Sequence, residues 1–127
     1  MEDNNKWVSL FNEKFEEFVK DLIITFPNDK DFKLYKNSFS LLKMVDTLKP
    51  IQMFREYAPK YRKEIVLCDE SFFLNHDFKD ELESDTNLSV DILLKLKVYW
   101  KGLESDNKSI IWSYLNLLYK LNDKICI

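Results

Sequence analysis

The chain contains one histidine, in the sequence Asn75-His76-Asp77, and this is its strongest candidate for acid–base chemistry. A histidine beside a carboxylate can act as a general base when the aspartate orients its ring, and Cys68 would then supply a nucleophile. No spacing fixes the distance between His76 and Cys68. The alternative is that His76 makes a local hydrogen bond in a loop, which is the commoner role of a single histidine. We therefore predict no catalytic residues and a protein that is not an enzyme.

The region around His76 is also rich in acidic side chains, whose oxygens are the ligands that Ca²⁺ and Mg²⁺ prefer. The candidate ligands are Asp69, Glu70, His76, Asp77, Asp80 and Glu81. The glycine and the alternating aspartates of an EF-hand loop are absent, and one histidine without paired thiols argues against structural zinc. We interpret the segment as a solvated acidic rim, and we predict no metal and no cofactor.

Basic and aromatic residues alternate around Pro59, a pattern that suits phosphate contacts combined with base stacking. The candidate nucleic-acid-binding residues are Lys33, Lys36, Lys43, Arg55, Lys60, Arg62 and Lys63. Tyr57 and Tyr61 are four residues apart, however, and this spacing also fits a buried helix face with the charges on its outer side. The net charge of −3 favours this second interpretation.

The aromatic content indicates a third kind of site, because 10 Phe, 6 Tyr and 3 Trp are hard to hide in a small core. We expect a protein-binding surface on the last helix, around Trp112 and Tyr119. Phe72 and Phe73 are either a cover over the core or an exposed interface anchor. The cover is favoured, because exposed Phe pairs are costly in water.

These candidates must be positioned by helices, because apolar residues recur along the chain at spacings of three and four. The first helix is predicted from about Asn5 to Phe26, where Pro27 stops it, and the second from a cap at Asn28 or Asp29 to about Asp46. Its inward residues are predicted to be Phe32, Tyr35, Phe39, Leu42 and Val45. A third helix begins at Pro50, and Pro59 should end or kink it.

The second half of the chain predicts two further long helices. From residue 69 the chain should form an ordered crossing with one short helical turn, followed by a solvated loop over residues 83–86. Ser89 is the expected cap of the next helix, Gly102 its left-handed C-terminal residue, and Ser105 the cap of the last helix. The first and last helices should pack together or against the same central helix. We predict one all-α domain over 1–127, a compact bundle of about five helices.

Composition excludes several classes of protein. The single glycine leaves no Gly-rich phosphate loop, dinucleotide fingerprint or nucleophile elbow. The longest apolar runs are far shorter than a membrane span, so no membrane association is expected. Cys68 and Cys126 form no CxxC pair, and they indicate free thiols in a reducing compartment. Without a signal peptide, the predicted location is the cytoplasm.

Charge is strongly segregated along the chain. The net charge is −4 over residues 1–29, +6 over 30–63, −8 over 64–91 and +3 over 92–127. Opposite potentials on different faces would orient a partner or a second copy. The alternative is that the acidic and basic segments pair with each other inside the molecule.

Three stretches carry a resemblance to a known group. They are the Phe11-x3-Phe15-x2-Phe18-x3-Leu22-x3-Phe26-Pro27 repeat, Lys60-Tyr61-Arg62-Lys63-Glu64-Ile65 with Asp69-Glu70-Ser71-Phe72-Phe73-Leu74, and Ile111-Trp112-x-Tyr114-Leu115-x2-Leu118-Tyr119-x-Leu121. They resemble uncharacterised short helical proteins of large nucleocytoplasmic DNA viruses. The resemblance implies a host-cell cytoplasmic or virion setting and supplies no catalytic residues.

The expected function is a non-enzymatic protein–protein interaction or structural module, either a virion component or an adaptor in a host or replication assembly. Its partner would be another protein or a second copy. The first alternative is a nucleic-acid-associated factor that uses the basic residues of 33–63. The second is an enzyme or metal-binding protein centred on His76.

Overall fold

A computed structural model describes residues 2–77 and 87–127, apart from the side chain of Glu2, and its regular elements are all helices. This confirms the predicted all-α class. The helices are α1 (Glu2–Thr25), α2 (Asp31–Val45), α3 (Lys49–Val66), the short α4 (Ser71–Asn75), α5 (Leu88–Tyr99) and α6 (Ser105–Asp123), with a 3₁₀ turn over Trp100–Gly102 after α5. The loop predicted over 83–86 lies outside the described residues.

The first and last long helices pack against each other, as predicted, and they run antiparallel. Near one end the side chain of Asn4 donates to the carbonyl of Cys126 at 2.9 Å and accepts from its N–H at 2.7 Å. Further along, the rings of Phe18 and Tyr114 stack with their centroids 5.1 Å apart. The N- and C-terminal parts of the chain are therefore joined along nearly the whole length of α1.

Helix α3 completes the centre of the bundle by packing on both α1 and α6. The ring of Phe54 meets that of Phe11 at 5.3 Å and that of Tyr119 at 5.2 Å, and all three side chains are buried. Pro59 lies inside α3 and does not end it. Continuation beyond Pro59 is favoured because it buries Tyr61 on the inner face of the helix.

The helix ends differ from prediction in three places. The cap of α5 is Asn87 rather than Ser89, because its side-chain oxygen accepts from the N–H groups of Ser89 and Val90. Gly102 lies in the 3₁₀ turn and does not have a positive φ. Ser105 is the first residue of α6 instead of the residue before it.

The left-handed conformation occurs instead at Cys68, with φ 53°, just after α3. The N–H of Cys68 donates to the carbonyl of Ile65 at 3.0 Å, and the N–H of Asp69 donates to that of Glu64 at 2.8 Å. This pair of hydrogen bonds is the Schellman motif, which satisfies the last carbonyls of a helix. Cys68 therefore serves as the turn residue that ends α3.

Candidate protein-interaction surface

Helix α2 is apolar on both of its faces, although only one of them contacts the rest of the protein. Phe32 and Phe39 point inward and are fully buried. The opposite side carries four large apolar side chains that are between 59% and 81% exposed, namely Leu34, Leu41, Met44 and Val45. Burying such side chains is favourable by about 1.5–3 kcal/mol each, so a helix with this second face gains from a partner.

The exposed apolar residues form one line along α2. Leu34, Ser38, Leu41 and Val45 follow each other at intervals of four, three and four residues, and Met44 borders the line. Residues at these intervals stack on one side of a helix. From Leu34 to Val45 this line is about 16 Å long, at the 1.5 Å rise per residue of an α-helix. We call it the α2 outer surface, formed by Leu34, Ser38, Leu41, Met44 and Val45.

Apolar spacing alone does not reveal this surface, and it wrongly predicts Val45 on the core side of α2. Val45 is 79% exposed, because it ends the helix where the chain turns towards α3. The sequence does contain a sign of this surface, because Leu34 and Leu41 are apolar residues of α2 that lie outside its predicted inward face. Apolar residues on two sides of one helix indicate two contacts rather than one.

The four aromatic residues predicted for protein interaction all lie in the core. They are Phe72, Phe73, Trp112 and Tyr119, and each is at most 8% exposed. Phe73 stacks on Trp100 at 4.2 Å and meets Trp112 at 5.3 Å. Phe72 and Phe73 are therefore a core cover. The prediction of an exposed surface around Trp112 and Tyr119 is wrong, because α3 and α4 shield that side of α6.

Both arginines of the predicted nucleic-acid patch hold the C-terminal end of α6. Arg55 donates from Nε to Oδ1 of Asn122 at 2.6 Å and from its guanidinium to the carbonyls of Asn122 and Ile125. Arg62 forms a two-pronged salt bridge with Asp123 and lies over the ring of Tyr119. That salt bridge lowers the pKa of Asp123. The two guanidinium groups are thus engaged within the protein.

The five lysines of the same prediction lie on α2 and α3, and those with described contacts interact with different groups. Lys43 pairs with Glu16 of α1 at 3.6 Å, and Lys60 lies over the ring of Tyr61. The other three, at 33, 36 and 63, are on α2 and the last turn of α3. The seven basic residues therefore do not form one patch that is free for phosphate contacts.

His76 packs among aromatic rings, with Phe72 at 5.5 Å and Tyr61 at 5.2 Å between ring centroids. Cys68 is exposed and occupies the left-handed turn after α3. Within residues 2–77 and 87–127, no three acidic, histidine or cysteine side chains are grouped as metal ligands. The predicted ligands Asp80 and Glu81 lie outside the described residues.

One polar cluster contains a carboxylate, an amine and a phenol. Asp29, whose side chain is 7% exposed, accepts from Lys95 at 3.0 Å and from the hydroxyl of Tyr99 at 2.5 Å. The hydrogen bonds to Asp31 and Asp29 raise the pKa of Lys95, and the one to Asp29 raises the pKa of Tyr99. All of these groups keep their ordinary charge at neutral pH, so the cluster offers no free base and acts as a structural junction.

Part of the charge segregation is used inside the protein. Glu70, in the acidic third segment, accepts from Lys108 at 2.8 Å and from the indole of Trp100 at 3.2 Å. Lys97 donates to the carbonyl of Phe73 at 3.2 Å. The basic segment 92–127 therefore holds the turn and short helix α4, and this portion of its charge is not available to a partner.

Among the described helices, none combines the length and hydrophobicity needed to cross a bilayer. Comparison of the sequence and structure with known protein families, curated proteins and solved structures found no match. The candidate surface is consequently assigned from its own geometry.

Proposed function

We propose that the chain is a non-enzymatic protein–protein interaction module that binds a helix of another protein along the α2 outer surface. One observation carries the proposal, which is the line of large apolar side chains on that surface, with Met44 and Val45 81% and 79% exposed. Contiguous exposed apolar residues on a helix are typical of sites that receive an apolar partner.

The shape of the surface favours a helix as the occupant. Ser38 is a small residue in the middle of the line, between Leu34 and Leu41. A small residue at this place leaves room for a side chain of an opposing helix to enter between its neighbours, as a knob enters a hole. A partner helix of about three turns would cover the line.

The setting of this module rests on the resemblance to proteins of large DNA viruses. Under that resemblance, the module belongs to a virion or to an assembly in the host-cell cytoplasm. The exposed apolar line supports an adaptor or structural role in either setting, because such a role needs a surface and no reaction.

Site-directed photo-crosslinking tests the proposal. A photoreactive amino acid replaces Leu41 in one variant and Ile24, which is 75% exposed on α1, in a matched control. In extracts of infected cells or in virions, we expect one defined protein to be cross-linked from position 41 and not from position 24. The product should disappear when Leu34→Ser is added. Identical products from both positions, or none from position 41, would refute the proposed surface.

A further inference from the structure

We infer that the helix bound by the α2 outer surface carries acidic side chains along its flanks. This inference deepens the proposed function and rests on it.

The border of the α2 outer surface is basic along its N-terminal half. Lys30 precedes Leu34 by four residues with helical backbone angles, so it extends the apolar line at its N-terminal end. Lys33 lies four residues before Asn37 and eleven before Met44, and these spacings are close to one and three helical turns. The three residues therefore share one side of α2, and Lys33 lies along the edge of the apolar line that Met44 borders. Lys30 and Lys33 form no ion pair with any described residue.

The acidic group at the start of α2 is engaged by a lysine that it shares with Asp29. Asp31 is the only acidic residue of α2, and its carboxylate contacts Lys95 at 2.7 Å. Between Phe32 and Val45 the helix carries lysines and no acid. A partner therefore meets a positive potential beside the N-terminal half of the apolar line, and carboxylates on its flanks would complement that potential.

The same charges disfavour a second copy of the chain. In a symmetric dimer through this surface, the bordering lysines of one copy would contribute to the same interface as those of the other. Like charges brought together at an interface oppose association. An acidic helix of a different protein meets the same apolar line without this repulsion.

An anionic membrane is also disfavoured by the residues of α2. Helices that lie in a membrane interface commonly present Trp, Phe or Leu to the lipid, and the α2 outer surface offers only the last of these three. The aromatic residues Phe32 and Phe39 are instead fully buried, and Tyr35 packs against the core. The outward apolar residues are aliphatic or Met, at the four-and-three spacing that pairs helices.

Synthetic peptides test the inference with the full-length chain. One probe is an amphipathic helix of about four turns with Leu along one face and Glu on both flanks, and its matched control has Lys in place of every Glu. Binding is followed by fluorescence anisotropy. We expect the Glu peptide to bind about tenfold more tightly than the Lys peptide, with a difference that shrinks as salt is added.

Two sets of variants separate charge from apolar contact. Lys30→Glu combined with Lys33→Glu should reverse the preference between the two peptides. Leu34→Ser combined with Leu41→Ser should abolish binding of both, whereas Ile24→Ser combined with Val98→Ser, at residues 75% and 74% exposed, should leave it unchanged. Circular dichroism and the unfolding midpoint verify that each variant is folded.

The remaining outcomes are equally informative. Equal binding of both peptides that still requires Leu41 would overturn the acidic partner and leave the proposed function intact. A dimer detected by sedimentation and lost in the Leu34→Ser, Leu41→Ser variant would assign the surface to a second copy. Leu41-dependent binding to vesicles of phosphatidylglycerol and phosphatidylcholine would assign it to lipid. If no peptide binds, the inference fails, and the cross-linking experiment still tests the proposed function.

Discussion

The hydroxyl of Tyr99 lies 2.5 Å from Oδ2 of Asp29, and this hydrogen bond joins the end of α5 to the segment between α1 and α2. Lys95 donates to the same oxygen, while Oδ1 of Asp29 accepts from the N–H of Asp31 at the start of α2. One carboxylate thus positions α2 against α5. Because it fixes the start of α2, it also determines how the α2 outer surface is presented.

We predict that Asp29→Ala lowers the free energy of unfolding by about 2 kcal/mol at neutral pH, since it removes a helix-start acceptor, leaves the phenol of Tyr99 without its partner and leaves Lys95 with Asp31 alone. Asp29→Asn should lose less, because its amide oxygen can still accept from the N–H of Asp31. Urea denaturation followed by circular dichroism measures both values. Equal losses in the two variants would show that the charge of Asp29 is the entire contribution.

Acid should weaken the same junction. Burial alone would raise the pKa of Asp29, but hydrogen bonds from Tyr99, Asp31 and Lys95 outweigh it and hold the pKa below its ordinary value of 3.8. A carboxylate whose pKa is lowered by folding stabilises the folded state at pH values above 3.8, its ordinary pKa. This contribution is lost as the pH falls through the lower pKa of the folded state. The stability difference between wild type and Asp29→Ala should therefore shrink below that pH in a urea series.

The two arginines of α3 should differ in their effect on stability. Arg55 is half-buried and donates to two backbone carbonyls at the end of α6, so Arg55→Ala is expected to cost about 2 kcal/mol. Arg62 and Asp123 are each 46% exposed, and Arg62→Ala should cost less than about 1 kcal/mol. Guanidinium chloride would screen the surface pair, so urea is the denaturant to use. A larger loss for Arg62→Ala would contradict this ranking.

Cys68→Gly should stabilise the protein by about 1 kcal/mol. The left-handed conformation at φ 53° is unfavourable for a residue with a side chain, whereas glycine adopts it without steric cost. Cys68→Ala is the matched control, because it removes the thiol and keeps the Cβ. Thermal unfolding should show a higher midpoint for the glycine variant alone. Equal midpoints would mean that the thiol, and not the backbone conformation, determines the effect.

Helix α2 illustrates how much of this protein could be predicted. Apolar spacing correctly identified the helix and its buried Phe32 and Phe39, because periodicity reports which residues share a face. It could not report where the neighbouring helices end, so Val45 was assigned to the core. The same limit hid the candidate surface, since Leu34 and Leu41 become informative only when nothing is found to cover them.

Contacts between residues distant in sequence were beyond prediction for a different reason. Asp29 and Tyr99 are 70 residues apart, and the link between Arg55 and Asn122 spans 67. Local patterns carry no information on such pairs. The basic residues of 33–63 consequently suggested a phosphate-binding patch, whereas their arginines serve to hold α6.

Tyr114 should make the protein sensitive to alkali. Burial, followed by its 2.7 Å hydrogen bond to Asp21, raises the pKa of Tyr114 to about 12. A group whose pKa is raised by folding stabilises the protein at pH values below 10.0, its ordinary pKa. This contribution is lost as the pH rises towards 12. Tyr114→Phe should therefore show a shallower loss of stability in that range.

Tyrosinate absorbance in the near ultraviolet provides the direct measurement for Tyr114. The wild-type titration should contain a late component near pH 12 that is reduced in Tyr114→Phe. Asp21→Asn should move that component to lower pH, because it removes a negative charge and keeps a hydrogen-bond acceptor. A titration of wild type and Tyr114→Phe that differs only near pH 10 would show that folding does not perturb this phenol.

Phe73 and Leu74 are neighbours in sequence, and their alanine variants should separate a core role from an interface role. Phe73 is fully buried between Trp100 and Trp112, so Phe73→Ala should cost about 4 kcal/mol and alter tryptophan fluorescence. Leu74 is 38% exposed, and Leu74→Ala should cost less than about 1 kcal/mol. If Phe73→Ala left stability unchanged but impaired binding to the cross-linked partner, Phe73 would be an interface anchor. The stacking on Trp100 would then have to open on binding, and the α2 outer surface would no longer be sufficient for recognition.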